Sequence, residues 1–133
     1  MEAWRAAALA VLLGVAACGT GADDSAVMMA PMGPAAVVEM NQAAFVPATV
    51  TVRVGDTVEW RNGTYNIHTV TTDPGMVRNR ANVSVPGGAQ VFNSGDLNRG
   101  QSYSRTFTVA GVYRYVSLSN ENSGMAGTVI VTE

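Results

Sequence analysis

Cysteine and histidine each occur once in this chain, which excludes most catalytic sites that combine several of these residues. Cys18 lies in an apolar N-terminal segment, and His68 lies far downstream of it. Any domain that follows the N-terminal segment therefore contains no thiolate. With a single histidine, no free cysteine and no motif that supplies an acidic partner, the chain offers no nucleophile, base and acid set for hydrolysis. We do not expect an enzyme.

Lysine is absent, and the eight basic residues are arginines spread along the chain. With a formal net charge of −2, the sequence has no polybasic face for nucleic acid or an anionic lipid surface. No long segment with a 3.6-residue period follows residue 35, whereas valine, threonine and glycine are frequent. This composition favours an all-β domain with tight turns. A chain of 133 residues is sufficient for one domain.

The first 18 residues are typical of an export signal. Met1–Arg5 carries one positive side chain, and the apolar run 6–17 is too short to span a bilayer as a mature helix. The sequence Leu-Gly-Val-Ala-Ala-Cys-Gly at residues 13–19 resembles the lipobox of bacterial lipoproteins, whose cysteine becomes the lipidated first residue. We predict a lipoprotein signal segment over 1–18 with lipid attached to Cys18. The protein would then be membrane-anchored outside the cytoplasm, in the periplasm or at the cell surface. An ordinary secretory signal with an incidental cysteine is the alternative.

Residues 19–35 are small, contain proline and glycine, and have no usable periodicity, so they predict a flexible tether. Met28, Met29 and Met32 place three thioethers close together in it, and soft sulfur ligands select Cu(I). The alternative is a linker whose methionines are incidental, since methionine is also an adaptable apolar filler.

Short alternating segments begin at residue 36. In 48–54 the valines at 50, 52 and 54 share one face, and Val58 and Trp60 are predicted to point inward. The polar residues 76–100 are predicted to run over one end or edge of the domain. The predicted strands are 37–40, 45–47, 48–54, 57–61, 67–72, 102–109, 112–118 and 125–132. About seven or eight strands are typical of an antiparallel β-sandwich with Greek-key connections.

Five segments, in this order, resemble the plastocyanin/azurin group of cupredoxins, which carry a blue, type 1 copper site. These segments are Gly55–Asn62, His68–Thr71, Phe92–Gly95, Phe107–Tyr115 and Gly124–Val131. The resemblance covers residues 37–133 and implies a cupredoxin-like domain over 36–133 that folds as a Greek-key β-sandwich. It also implies copper as cofactor and electron transfer as the family role.

The same resemblance implies positions for the copper ligands. In the family, copper is held by a histidine after the tryptophan-containing strand and by a Cys-x-x-His-x-x-x-x-Met sequence between the last two strands. The residues at these positions are His68, Ser117, Asn120 and Met125. His68 and Met125 are retained ligand types, whereas Ser117 and Asn120 replace the cysteine and the second histidine.

These replacements remove the strongest ligands. A serine hydroxyl stays protonated near neutral pH, and an asparagine carbonyl suits harder cations than copper. In a partly desolvated pocket without an anionic ligand, the positive charge of a cupric ion would not be compensated, which disfavours its binding. We expect no high-affinity blue copper centre, and instead a hydrogen-bonded cluster of His68, Ser117 and Asn120 around Met125. Glu121 would add a carboxylate if it turned inward, but a solvent-facing side chain is the expectation for a loop glutamate.

Three functions remain open from the sequence. The family role is that of a membrane-tethered copper protein that carries electrons or copper to a redox partner. The altered ligands favour a second function, a metal-free cupredoxin that binds a partner protein or supports assembly. The third is a lipoprotein that takes Cu(I) weakly through Met28, Met29, Met32, Met125 and His68. No nucleic acid partner is expected.

Overall fold

The computed structural model describes residues 33–133. The predicted signal segment, the lipid site at Cys18, and Met28, Met29 and Met32 of the predicted tether lie outside the described residues. Between residues 33 and 133, no helix combines the length and the apolar character needed to cross a membrane.

Seven strands and two short 3-10 helices make up the regular structure of the described part. The strands are β1 (Ala36–Met40), β2 (Phe45–Val46), β3 (Thr49–Arg53), β4 (Thr57–Asn62), β5 (Ser102–Thr106), β6 (Gly111–Val116) and β7 (Ala126–Thr132). The 3-10 helices are Arg80–Asn82 and Leu118–Ser123.

The strands form two sheets with the orders β2-β1-β4-β5 and β3-β7-β6. This confirms the predicted all-β cupredoxin-like sandwich and the number of strands. The prediction that the sandwich is antiparallel is wrong for two pairs, because β1 is parallel to β4 and β3 is parallel to β7. Parallel neighbours need a crossover connection, and here the chain visits the other sheet before it returns to each of these pairs.

Alternating side chains of both sheets form one aromatic core. Val58 and Trp60 are fully buried, as predicted from the alternation in β4. Trp60 packs edge-on against Tyr115 of β6, with ring centroids 5.4 Å apart, and against Phe107 at 6.4 Å. Gly127 lies opposite Tyr115 on β7, where a Cβ would collide with the tyrosine ring. These aromatic contacts join the two sheets.

Val54 does not follow the inward alternation predicted for residues 48–54. It is 43% exposed, whereas Val52 on the same predicted face is buried. The reason is local, because β3 ends at Arg53 and the chain turns at Gly55, which has a φ of 97°. The hydrogen bond from Arg53 N to Asp56 Oδ2, 2.8 Å long, fixes this turn.

The predicted strand 67–72 is wrong, since this segment makes only isolated bridges. His68 pairs with Leu97, whereas Thr71 pairs with Asn93 and with Val116 at the end of β6. The segment changes partner within a few residues, so no continuous ladder forms. Its position brings His68 to the end of the sandwich where β6 finishes.

Part of the segment 76–100 lies along the edge of β6, consistent with the prediction that the segment covers an end or an edge. Ser84 and Arg114 exchange backbone hydrogen bonds of 3.1 and 2.9 Å. Phe92 and Leu97 from the same segment are buried in the core. The segment therefore protects a strand edge and fills part of the core at the same time.

Candidate metal site at one end of the sandwich

The loop 117–125 between β6 and β7 is closed by its own backbone hydrogen bonds. Ser117 N donates to Met125 O at 3.1 Å, and Met125 N donates to Asn120 O at 3.2 Å. Gly124, with a φ of 84°, ends the 3-10 helix of this loop. The loop thereby holds the three predicted ligand positions of the sequence pattern in a compact turn.

A second contact ties this loop to the segment that carries His68. Leu118 N donates to Thr69 Oγ1 at 2.8 Å, and Thr69 N donates to Ser117 Oγ at 3.2 Å. These bonds hold the ring of His68 next to Ser117. Thr69 was not singled out by the sequence analysis, since a threonine in an alternating segment carries no signal of such a role.

His68 and Ser117 form a buried polar pair. Both side chains are 0% exposed, and His68 Nδ1 lies 3.0 Å from Ser117 Oγ. This is a direct hydrogen-bond distance, so the two groups engage each other with nothing between them. The predicted contact between these two residues is therefore present.

The ring of His68 is neutral near pH 7. Burial lowers the pKa of His68, and the backbone carbonyl of Asn41 opposes this shift. The buried Nε2 makes no hydrogen bond of standard geometry among residues 33–133, so the carbonyl of Asn41 acts on the ring only as a weaker polar contact. The predicted polar cluster is thus incompletely satisfied, because one ring nitrogen of His68 is bonded to Ser117 and the other is not bonded.

Asn120 does not complete the cluster as predicted. Its Nδ2 donates to Gln42 O at 3.2 Å, across to the turn between β1 and β2, and its Oδ1 accepts from Ser119 Oγ at 3.1 Å. No hydrogen bond joins it to His68 within the described part of the chain. The amide therefore hydrogen-bonds to the backbone of Gln42 and to Ser119 in place of the imidazole.

Ser119, which was not predicted from the sequence to belong to the site, links Ser117 to the backbone next to His68. Its Oγ lies 3.3 Å from Ser117 Oγ, and its single proton is shared between Ile67 O at 2.8 Å and Asn120 Oδ1 at 3.1 Å. Ser119 occupies an unspecified position of the family spacing, and only the 3-10 turn of the loop brings its hydroxyl close to Ser117. No sequence pattern could have indicated this contact.

Met125 lies at the inner side of the loop, directly before β7. It is 1% exposed and belongs to the apolar core together with Phe45 and Tyr115. Its backbone N–H and carbonyl both close the loop, as described above. The residue thus combines a packing role with its predicted ligand position.

Glu121 is buried, contrary to the expectation of a solvent-facing side chain. It is 6% exposed, and its carboxylate accepts from Arg78 N at 2.8 and 3.0 Å, from Asn79 N at 3.0 Å and from Asn82 Nδ2 at 3.1 Å. Burial alone would raise the pKa of Glu121, but these hydrogen bonds and the charge of Arg78 hold it below the ordinary value of 4.5. The carboxylate is therefore ionised and committed to residues 78–82.

The donor atoms at this end of the sandwich are an imidazole, hydroxyls, a partly exposed amide and a thioether. Between residues 33 and 133, no three side chains of histidine, cysteine, aspartate or glutamate come together in a group that could hold a metal ion. The single anionic group of the loop, Glu121, is occupied by other hydrogen bonds. The site offers neutral donors.

Comparison with known proteins places this geometry in a family. The family model described as copper binding proteins, plastocyanin/azurin family, matches residues 34–132. A plastocyanin from Scenedesmus fuscus is 33% identical over 87 residues, which cover 65% of this chain and 85% of that protein. An amicyanin from Paracoccus versutus is 31% identical over 97 residues, which cover 73% of this chain and 64% of that protein.

The solved structures agree with the sequence relatives. The crystal structure of amicyanin from Paracoccus versutus superimposes with a TM-score of 0.59 at 28% identity, covering 78% of this chain and 86% of the amicyanin chain. The family match, the sequence relatives and the shared fold lead to one assignment: the chain belongs to the plastocyanin/azurin family of copper binding proteins.

Proposed function

We propose that the protein is an extracytoplasmic, lipid-anchored member of this family with a degenerate type 1 copper site. The domain is metal-free or binds copper weakly, and it serves as a protein-binding or assembly module. The observation that carries this proposal is the buried hydrogen bond of 3.0 Å between His68 Nδ1 and Ser117 Oγ, at the position where the family pattern has a cysteine.

The donor set does not fit a blue copper centre. Such a site needs a thiolate and two imidazoles, with a weak axial thioether. In this site Ser117 presents a neutral hydroxyl, and the amide of Asn120 is hydrogen-bonded to Gln42 and not to His68. Binding a cupric ion at Nδ1 of His68 would require breaking the His68–Ser117 hydrogen bond, and binding at either ring nitrogen would leave the charge of the ion uncompensated. Both effects weaken copper binding.

The proposal of a lipid anchor is based on the sequence around Cys18. The lipobox-like sequence before Cys18 supports acylation of that cysteine, which would also remove the only thiol of the chain as a copper ligand. Lipid on Cys18 and a tether over 19–35 would hold the domain close to an extracytoplasmic membrane surface. Its encounters with a partner protein on the same surface would then be confined to the membrane plane.

The family role remains the second candidate, because the family match covers nearly the whole domain. Copper binding with electron transfer would then proceed with His68 and Met125 as retained ligand positions. Cu(I) handling through Met28, Met29 and Met32 stays a prediction from the sequence.

Copper affinity separates these candidates. We expect that full-length protein carrying Cys18→Ser, titrated with Cu(II) and Cu(I) against a chromophoric chelator, shows no one-to-one site that depends on His68. The matched variant His68→Asn, shown to be folded by its thermal transition, should give the same titration. Stoichiometric binding that disappears in His68→Asn would contradict the proposal and favour the family role. Cu(I) binding lost only when Met28, Met29 and Met32 become leucine would assign copper to the tether.

A further inference from the structure

A cavity lies near the start of β6, whereas the His68–Ser117 pair lies at the other end of that strand. Its volume is about 230 Å³, and it opens between the end of β5, the turn 107–109 and residues 88–90. Side chains of Arg105, Gln90 and Tyr113 line it. Tyr113 stands near the start of β6, whereas the loop 117–125 follows the end of that strand, so the two sites are separate.

Arg105 is the charged group of this cavity. It lies on the edge strand β5, on the same partly buried side of the strand as Tyr103. Its guanidinium carbon is 4.5 Å from the centroid of the Phe92 ring, so the aromatic face supports the planar group. A cation–π contact with the ring face does not use the N–H groups of the guanidinium, which therefore stay available for acceptors.

No acidic side chain within residues 33–133 forms an ion pair with Arg105. Its Nε is buried and has no hydrogen-bond partner there, and the ion pair found in this part of the chain joins Arg61 to Glu59 instead. The residues that line the cavity include no aspartate or glutamate. A partly buried cation without an anion is unfavourable, and the planar fork of arginine matches carboxylate and phosphate oxygens.

The charge of Arg105 also reaches the neighbouring Tyr113. Burial raises the pKa of the Tyr113 hydroxyl, and the positive charge of Arg105 opposes that rise. The hydroxyl itself donates to Val109 O at 2.6 Å and is therefore held in place rather than available as a donor. Among the residues that line the cavity, Arg105 is the charged one, and the amide of Gln90 is neutral.

We propose that this cavity binds a small oxyanion, a carboxylate or phosphate group, on the guanidinium of Arg105. A volume of 230 Å³ lies below the range of roughly 300–1,000 Å³ typical of sites for drug-sized ligands, so the ligand is a small molecule. Arg105 supplies the charge and the paired donors, and Gln90 supplies a further polar contact. This site is independent of copper and of the proposed function of the other end.

Calorimetric titration of the purified full-length protein with inorganic phosphate, and separately with acetate and succinate at constant ionic strength, tests the proposal. We expect saturable one-to-one binding that Arg105→Gln weakens by about tenfold or more, the effect of removing charge-assisted hydrogen bonds. The matched control Arg114→Gln removes the same charge from an exposed position of β6 and should change the affinity less than about twofold. Phosphate and the carboxylates in separate arms identify which oxyanion is preferred.

Equal losses in Arg105→Gln and Arg114→Gln would mean general charge attraction and would overturn the site, as would the absence of saturable binding by all three anions. If Arg105→Gln does not fold, the wild-type protein still decides the question by amide chemical shifts during the phosphate titration. Shifts centred on Gly88, Gln90 and Arg105 support the cavity, and shifts elsewhere reject it.

Discussion

The double substitution Ser117→Cys with Asn120→His is expected to convert a protein that stays colourless with Cu(II) into one with an intense visible absorption band. Position 117 is fully buried and its Oγ is 3.0 Å from His68 Nδ1, so a thiolate there faces the imidazole directly. The substitutions supply the anionic ligand and the second imidazole that the present donor set lacks. Visible absorption of the Cys18→Ser form of the protein is the measurement, because that background has no other thiol.

A displaced thiol provides the matched control. Ser123→Cys with Asn120→His introduces the same two side chains, but position 123 is exposed and makes no contact with the His68–Ser117 pair, so no comparable band should appear. A folded Ser117→Cys, Asn120→His protein that stays colourless with copper would show that the loop 117–125 is not arranged as described.

Substitution of Glu121 by glutamine is expected to lower the free energy of unfolding at pH 7 by about 1–3 kcal/mol, the range for hydrogen bonds made by a charged buried group. The carboxylate accepts from two backbone N–H groups and from Asn82, and a neutral amide cannot accept all of these bonds. Chemical denaturation of the two proteins measures the difference. Glu39→Gln, an exposed site on β1, removes the same charge and should change stability by no more than about 0.5 kcal/mol.

The effect of Glu121 should also depend on pH. Because the folded-state pKa of Glu121 lies below its ordinary value of 4.5, its stabilisation is fully present above that value and is lost as the pH falls through the folded pKa. The stability difference between the wild type and Glu121→Gln should therefore shrink in acid. A difference that is constant between pH 7 and pH 3 would contradict the role of the ionised carboxylate.

Much of the fold followed from local alternation. In β4 the spacing of Val58 and Trp60 predicts their burial, because a strand of a two-sheet sandwich packs one face on the other sheet and needs an apolar side chain at every second position. The parallel pairs β1–β4 and β3–β7 could not be predicted in this way, since alternation is the same in parallel and antiparallel strands. It contains no information about which strands pair. The segment 67–72 alternates like a strand but makes only isolated bridges, because its partners change within it.

The site was predictable where spacing determines it and unpredictable where the loop conformation does. The family spacing correctly brought Ser117 to His68, although these residues are far apart in sequence. It could not show that Asn120 bonds to Gln42, or that Ser119 reaches Ser117, since both contacts depend on the 3-10 turn of the loop. The burial of Glu121 depends in the same way on the path of residues 78–82, which no local pattern specifies.

The most direct test of the degenerate site is the ¹⁵N spectrum of the His68 imidazole, which is unambiguous because the chain has one histidine. Full-length Cys18→Ser protein is measured alone and with one equivalent of Cu(I), a diamagnetic ion that does not broaden the signals. If Ser117 engages Nδ1 as the structure describes, the two ring nitrogen signals keep the shifts of a neutral, hydrogen-bonded imidazole after copper is added. A change of either ring-nitrogen signal that saturates at one equivalent would show that copper binds the His68 imidazole and would contradict a degenerate site.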